Sequence, residues 1–261
     1  MSFVRKPAVA GLFYPRNAQG LRAAIECFLA RASPKGPPPK AVIAPHAGFE
    51  YSGPIAASAY ARVRPAHATI TRVVLLGPSH RVPFQGLAAS GAAAFETPLG
   101  LVPLDAGGVA AALAFPSVQV LDAAHAPEHS LEVHLPFLQV VLDRFTLVPL
   151  LVGGSTPEEV GVVLQALWGG PETLIVVSSD LSHYHEYAEA QRIDAETAGR
   201  IERGELERLT GQRACGFLPV GGLLNNARRD RLSIEAVDLR NSGDTAGDRS
   251  RVVGYGAFTI G

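Results

Sequence analysis

Three apolar runs in this chain end on residues that could do chemistry. KAVIA is followed by Pro45-His46, RVVLLG by Pro78-Ser79-His80, and TLIVVSS by Asp180 and then His183 and His185. A fourth group lies in APEHSLEVHLPF, where His129 stands at a loop-to-helix junction with Glu128 before it and Glu132 and His134 after it. Imidazole titrates near neutral pH and is the commonest side-chain ligand of transition metals, so histidines converging from separate segments could hold a metal or move a proton. One histidine at a strand end is more often a hydrogen-bonded structural residue. Recurrence at equivalent positions argues for a site. His46 and His80 supply two ligands, and the loop RNSGDTAGDRS offers an acid, Asp244 or Asp248, as a third. Two histidines and one carboxylate form the ligand set of non-haem Fe(II) oxygenases, with positions left open for substrate. The same loop also reads as an ordinary hairpin connection with solvated aspartates.

Elements must bring these residues together, and the sequence predicts them. KAVIA, RVVLLG, VQVL, FTLVPLLVG and ETLIVVSS have the short, β-branched character of strands. SAYARV, DAGGVAAALA, TPEEVGVVLQALW and EYAEAQRIDAETAGRIERG between them have helical character. Nearly continuous apolar strands imply a sheet covered on both faces, hence mostly parallel with helical crossovers. RLSIEAVDLRN and RSRVVGYGAFTIG follow helix GFLPVGGLLNNARR without a long helix between them, which predicts an antiparallel pair closing one side of the sheet. PKGPPPK, residues 34 to 40, is a linker from an N-terminal helix, LRAAIECFLAR, into the first core strand. The expectation is a single α/β domain over residues 1–261, a central mixed and mostly parallel sheet flanked by helices. In such sheets ligands bind at the carboxyl ends of the strands, where the histidines fall.

Composition narrows the function. The formal net charge is -1, without long single-sign runs, so nothing favours nucleic acid or an anionic membrane as partner. No segment approaches the roughly 20 apolar residues of a membrane span, and the N-terminus lacks the apolar core of a secretory signal. The two cysteines, Cys27 and Cys215, lie far apart in unlike contexts, which fits a reducing cytoplasm. HExxH, GxxxxGK[ST] and GxSxG motifs are absent.

The segments RKPAVAGLFYP, APHAGFEYSGPIAASAYA, LLGPSHRVPFQGLAAS, TPLGLVPLD, PEHSLEVHLPFLQ, SSDLSHYHEYAEA, CGFLPVGGLLNNA and SGDTAGDRSRVVGYGAF resemble, in order, those of the Memo family. Its prokaryotic members are also labelled AmmeMemoRadiSam system protein B. That family is in turn similar to LigB-type class III extradiol dioxygenases, which cleave catechol rings with non-haem iron. The resemblance implies a class III extradiol dioxygenase-like fold, with His46 and His80 as metal ligands and His183 in the place of the acid-base histidine. It places Asp244 about where the third ligand is expected, a glutamate in dioxygenases and a cysteine in animal Memo proteins, with Asp248 as the alternative. It implies a divalent transition metal, Fe(II) first, with copper or zinc possible. No settled substrate or reaction is attached to the family.

These readings assign roles. Asp180 orients His183, contacts a ligating histidine, or caps a helix; His129 lines the site, and Tyr51 and Glu132 belong to a substrate pocket. His134 packs under the sheet, His185 lies at the rim, and His67 and His125 have no role. Cys215 is either an inert buried cysteine or a nucleophile assisted by a histidine, and Cys27 belongs to the core. The function expected is a metal-dependent oxidoreductase on a small chelating substrate. The alternative is a non-catalytic accessory protein, holding metal or a partner's product beside AMMECR1-like and radical SAM proteins.

Overall fold

In the computed structural model, which describes residues 3–205, 207 and 209–261, the apolar runs become the middle of a nine-stranded mixed sheet. In chain order the elements are β1 (Val4–Arg5), α1 (Ala18–Arg31), β2 (Ala41–Ala44), α2 (Phe49–Val63), β3 (Arg72–Pro78), β4 (Leu87–Ala89), β5 (Ala94–Thr97), β6 (Gly100–Pro103), α3 (Ala106–Leu113) and β7 (Val118–Val120). There follow α4 (Asp122–His125), α5 (Leu135–Val141), β8 (Thr146–Val152), α6 (Pro157–Ala166), β9 (Thr173–Ser178), β10 (His183–His185), α7 (Tyr187–Glu202), α8 (Phe217–Arg229), β11 (Ile234–Asn241) and β12 (Val252–Ile260). The large sheet runs β10-β12-β2-β9-β3-β8-β4-β7, with β11 on β12. β2, β9, β3 and β8 are mutually parallel, and β12 is antiparallel to both β2 and β11, as the terminal strand pair predicts.

The four parallel strands are apolar through their middles because both faces are covered. Val73 and Leu75 of β3 enter one core with α1, α2 and α5, while Val74 and Leu76 enter the other with α6 and α8. Val42 and Val176 share the first core, Ile43 and Val177 the second. That alternation is the period of two of a pleated strand sandwiched between helical layers. On α1 the buried stripe is Leu21, Ile25 and Leu29, one helical face at a spacing of four. Cys27 falls off that stripe and is exposed, a correction to the expectation that it belongs to the core. The small sheet β1-β5-β6 was not legible in the sequence, since its strands are two to four residues long.

The N-terminal segment is fastened to the body through one buried ion pair. Glu132, fully buried, accepts from Arg5 Nη1 at 2.5 Å, Ala8 N at 2.7 Å, Val9 N at 3.0 Å and the Tyr14 hydroxyl at 2.5 Å. Its carboxylate is thereby saturated inside the protein, which corrects its expected place in a substrate pocket. Arg5 uses its other donors on His125 O at 3.0 Å and Glu128 O at 2.5 Å, so β1 clamps the stretch 125–132. His125, expected in a polar loop, is buried and bonds Ala88 O through Nε2 at 2.9 Å. Removing one partner of such a pair strands the other charge. Arg5→Met is therefore expected to lower stability by about 3–5 kcal/mol in urea unfolding, with most of the loss recovered when Glu132→Gln is added.

Candidate metal centre

β2, β9 and β3 are neighbours, and their carboxyl ends lead to His46, Asp180 and His80. Strands two places apart are separated by roughly 10 Å, so His46 and His80 meet only by leaning over the end of β9. That end is made of small residues, Ser178 and Ser179. The two imidazoles come to 5.1 Å between ring centroids. His129 completes a three-ring cluster, 5.0 Å from His80 and 5.5 Å from His46, with Phe13 edge-on against it at 4.9 Å.

The third ligand-bearing residue brought to the histidine pair is Cys215. His46, His80 and Cys215 each offer an atom within 4.8 Å of the others, and Cys215 Sγ lies 3.4 Å from His46 Nε2. Asp244 is used elsewhere. Its Oδ1 accepts the Tyr187 hydroxyl at 2.5 Å, and its Oδ2 accepts Asn241 N at 2.9 Å in a capping box on the turn after β11. Asp248 is exposed, its Oδ1 taken by Ser250 N and Oγ at 2.7 and 2.6 Å. Neither acid forms a compact donor group with the histidines among the described residues, so Cys215 occupies the place that the sequence reading gave to Asp244. Gly216 makes this possible: a Cβ there would sit 2.4 Å from Ser178 O and 2.7 Å from Ser179 Cβ. Only glycine lets the start of α8 press against the end of β9. A cysteine followed by glycine at a helix start was the available signal, and it was weighed as inert or nucleophilic.

Hydrogen bonds around the cluster decide which nitrogens face it. Ser178 Oγ donates to Ser130 O at 2.6 Å, which uses its single proton. It also lies 2.6 Å from His46 Nδ1 and 2.9 Å from His134 Nε2, so both rings must donate to its lone pairs. His134 Nδ1 then accepts from the Tyr60 hydroxyl at 2.8 Å. This proton count leaves His46 protonated on Nδ1, with the lone pair of Nε2 directed at Cys215. His80 Nδ1 is 3.0 Å from Glu128 Oε1, leaving Nε2 for the cluster. A carboxylate behind a ligating imidazole orients the ring and raises its basicity. Burial alone would push the Glu128 carboxyl up, but hydrogen bonds from the His80 ring and from backbone N–H groups of His80 and Ser130 bring it down to about 2.

Burial dominates the other titrations. It holds His46 well below the usual imidazole range, reinforced by positive charge from His80 and His129, and brings His134 down to about 3. It pushes the Cys215 thiol up to about 12, with the nearby Asp180 carboxyl adding to the rise. A bound cation would reverse that, since a coordinating thiol loses its proton. Asp180 Oδ1 accepts His46 N at 2.8 Å and its Oδ2 lies 3.9 Å from His46 Nε2. Its pKa is raised by burial against the hydrogen bond from His46. Helix α7 begins at Tyr187, with Glu186 at the N-cap position, so Asp180 is a neighbour of His46 and not a helix cap. His183, half-buried on β10, has its charge felt at both Asp180 and His46. Tyr184 beside it has a left-handed φ of 63°. Tyr51 is 38 % exposed in the first turn of α2, on the side of Tyr184 and the buried Tyr255. His129 Nδ1 is buried 3.2 Å from Glu128 Oε1 without hydrogen-bond geometry.

The donor set fits a transition metal. Imidazole and thiolate suit iron, copper and zinc, and with metal–nitrogen and metal–sulfur bonds of roughly 2.05 and 2.3 Å a tetrahedral N···S edge is about 3.5 Å, against 3.4 Å here.

Residues 5–259 match the model of the Memo-like protein family. The chain belongs to that family. It is 35 % identical to a MEMO1 family protein of Aquifex aeolicus, covering 97 % of each chain. It is also 35 % identical to one of Methanothermobacter thermautotrophicus, over 97 % of this chain and 98 % of the relative, and 36 % identical to one of Methanopyrus kandleri, over 98 % of each. For this Memo-like chain, similarity runs through every segment that builds the cluster. No helix among the described residues is long and apolar enough to cross a membrane.

Two predictions follow from the proton count and the charges. Ser178→Ala removes the acceptor that holds His46 in its tautomer, and metal affinity should fall on the order of 10–100-fold in a competitive chelator titration, with the fold intact by circular dichroism. Glu128 and His134 both have folded pKa values below their ordinary 4.5 and 6.5. Each therefore contributes stability that is complete above its ordinary value and is lost as pH falls through the folded value. Urea midpoints should decline from about pH 6.5 and more steeply below about 4.5, and Glu128→Gln should flatten the lower limb only.

Proposed function

We propose that this Memo-like protein is a metal-dependent oxidoreductase acting on a small chelating substrate, with His46, His80 and Cys215 as the metal ligands. The convergence of these three donors, Cys215 Sγ lying 3.4 Å from His46 Nε2, is the observation that carries the reading. When bound, Fe(II) or copper would supply redox chemistry and polarise substrate at coordination positions the protein leaves free. The thiolate moves the preference toward soft, thiophilic ions compared with a third carboxylate, and zinc fits the same donors.

The chain's own groups have definable tasks. Ser178 and Glu128 orient the two imidazoles. Asp180 Oδ2, raised in pKa by burial and 3.9 Å from His46 Nε2, is placed to hold a proton beside the ligand cluster. His183 on β10 is the exchange partner through which that proton reaches solvent. Phe13 closes the His129 side against water.

A second reading, a protein that holds its metal for partners such as AMMECR1-like and radical SAM proteins, is favoured by the soft donor. Cys215 is half-buried beside the buried His46, and a thiolate holds a soft ion tightly. Anaerobic reconstitution followed by metal analysis should give near-stoichiometric metal in the wild type. His46→Ala and Cys215→Ser should lose it, and Asp244→Ala should retain it. Metal retained in Cys215→Ser would overturn the ligand assignment. Metal-dependent O₂ uptake with a panel of vicinal diols supports the oxidoreductase, whereas tight metal without any uptake supports the metal-holding reading.

A further inference from the structure

Beside the cluster lies a cleft of about 540 Å³ between the loop after β3, the end of β8 and the start of α8. Such a volume is that of a small-molecule site. Cys215 forms part of its wall and Ser79, next to His80, another part. The cleft therefore borders the donor cluster at Cys215, with the imidazoles behind its wall.

Its chemistry is one-sided. Val82, Phe84, Val152, Phe217, Leu218 and Pro219 supply carbon surface, and among the described residues no charged side chain lines it. The Ser79 hydroxyl and the backbone groups at its border are engaged in hydrogen bonds, and the Gln85 amide that also lines it is uncharged. The Ser79 hydroxyl donates to Val82 O at 2.8 Å, Ser79 N to Val152 O at 3.1 Å, and Gly154 N to Phe84 O at 2.7 Å. Gln85 O accepts the Gln119 side chain at 3.1 Å. Gly153 permits this closure, since a Cβ there would lie 2.3 Å from Phe84 O. A ligand carrying charge would leave water for a wall with nothing to answer it, a penalty an uncharged apolar body does not meet.

We propose that this cleft binds the apolar body of an uncharged small molecule whose functional end reaches Cys215 and the space between His46 and His80. The proposal deepens the metal-centre reading and rests on it for the role of that functional end. The apolar recognition itself does not depend on metal. The substrate of the centre is thus amphipathic and neutral, with one small polar end.

Primary alcohols from butanol to octanol, and the carboxylates of equal length, are the probes. They are titrated into the metal-free protein by calorimetry and by saturation-transfer NMR. Affinity for the alcohols should rise roughly fourfold per methylene, and each carboxylate should bind more weakly than its alcohol. Leu218→Trp, which fills the cleft from α8, should abolish the chain-length dependence while metal stoichiometry stays as in the wild type. Val82→Trp fills it from the opposite wall and keeps the test decisive if Leu218→Trp does not fold. Flat affinity along the series, preference for the carboxylates, or chain-length dependence surviving in a folded filled variant would overturn the proposal. Failure of the metal-centre reading shows separately, as metal retained in Cys215→Ser.

Discussion

One serine hydroxyl organises the centre. Ser178 ends the middle strand of three, where a larger side chain would fill the space over which His46 and His80 meet. Its oxygen has one proton and two lone pairs, and the structure gives each a partner: Ser130 O, His46 Nδ1 and His134 Nε2. Nothing remains to rotate. The lone pair of His46 Nε2 is thereby presented to the donor cluster, and the orientation is set by buried groups that water does not reach. The chain of contacts continues through His134 to Tyr60 on α2, so the ring is braced against a helix of the core.

The second histidine is braced from the other direction. Glu128 holds His80 through both backbone and ring, and Glu128 is itself carried on a stretch clamped by Arg5. The distant N-terminal strand thus supports a member of the donor cluster that it does not touch. Rigid support of this kind keeps donor atoms within the tolerance that coordination demands. Burial is nearly complete at His46, His134 and Asp180, while His80 is exposed. Neutral imidazoles, a protonated thiol and a raised Asp180 carboxyl are the forms that a low-dielectric site favours before a cation enters.

Much of this was legible in the chain. The strand runs, their parallel direction and the antiparallel pair at the end follow from apolar patterning, because the middle of a sheet buried on both faces leaves little room for polar residues. His46 and His80 are legible because each sits two residues past a strand of that sheet. Asp180 reads from the sequence equally as a partner of His183 or of a ligating histidine and as a helix cap; the structure sets it against His46, with α7 beginning only at Tyr187. Glu132 looked like a site acid, and its four donors come from segments more than a hundred residues away in sequence. Cys27 looked apolar by type, but one residue along a helix turns a side chain by about 100°, and Leu21, Ile25 and Leu29 define a different face.

Local pattern alone determined the sheet, its two covered faces and the two histidines at its carboxyl edge, because those depend on residues near one another in sequence and on the fixed periods of strand and helix. Tertiary structure alone decided the third donor. Asp244 and Cys215 both follow the last parallel strand, and type favoured the acid; the choice was made by where α8 docks. Gly216 has no side chain to keep that helix off Ser178 and Ser179, so Cys215 arrives 3.4 Å from His46 while the Asp244 carboxylate is spent on Tyr187 and its own turn. A close approach between backbones is a property of three-dimensional packing, and no spacing in the chain encodes it.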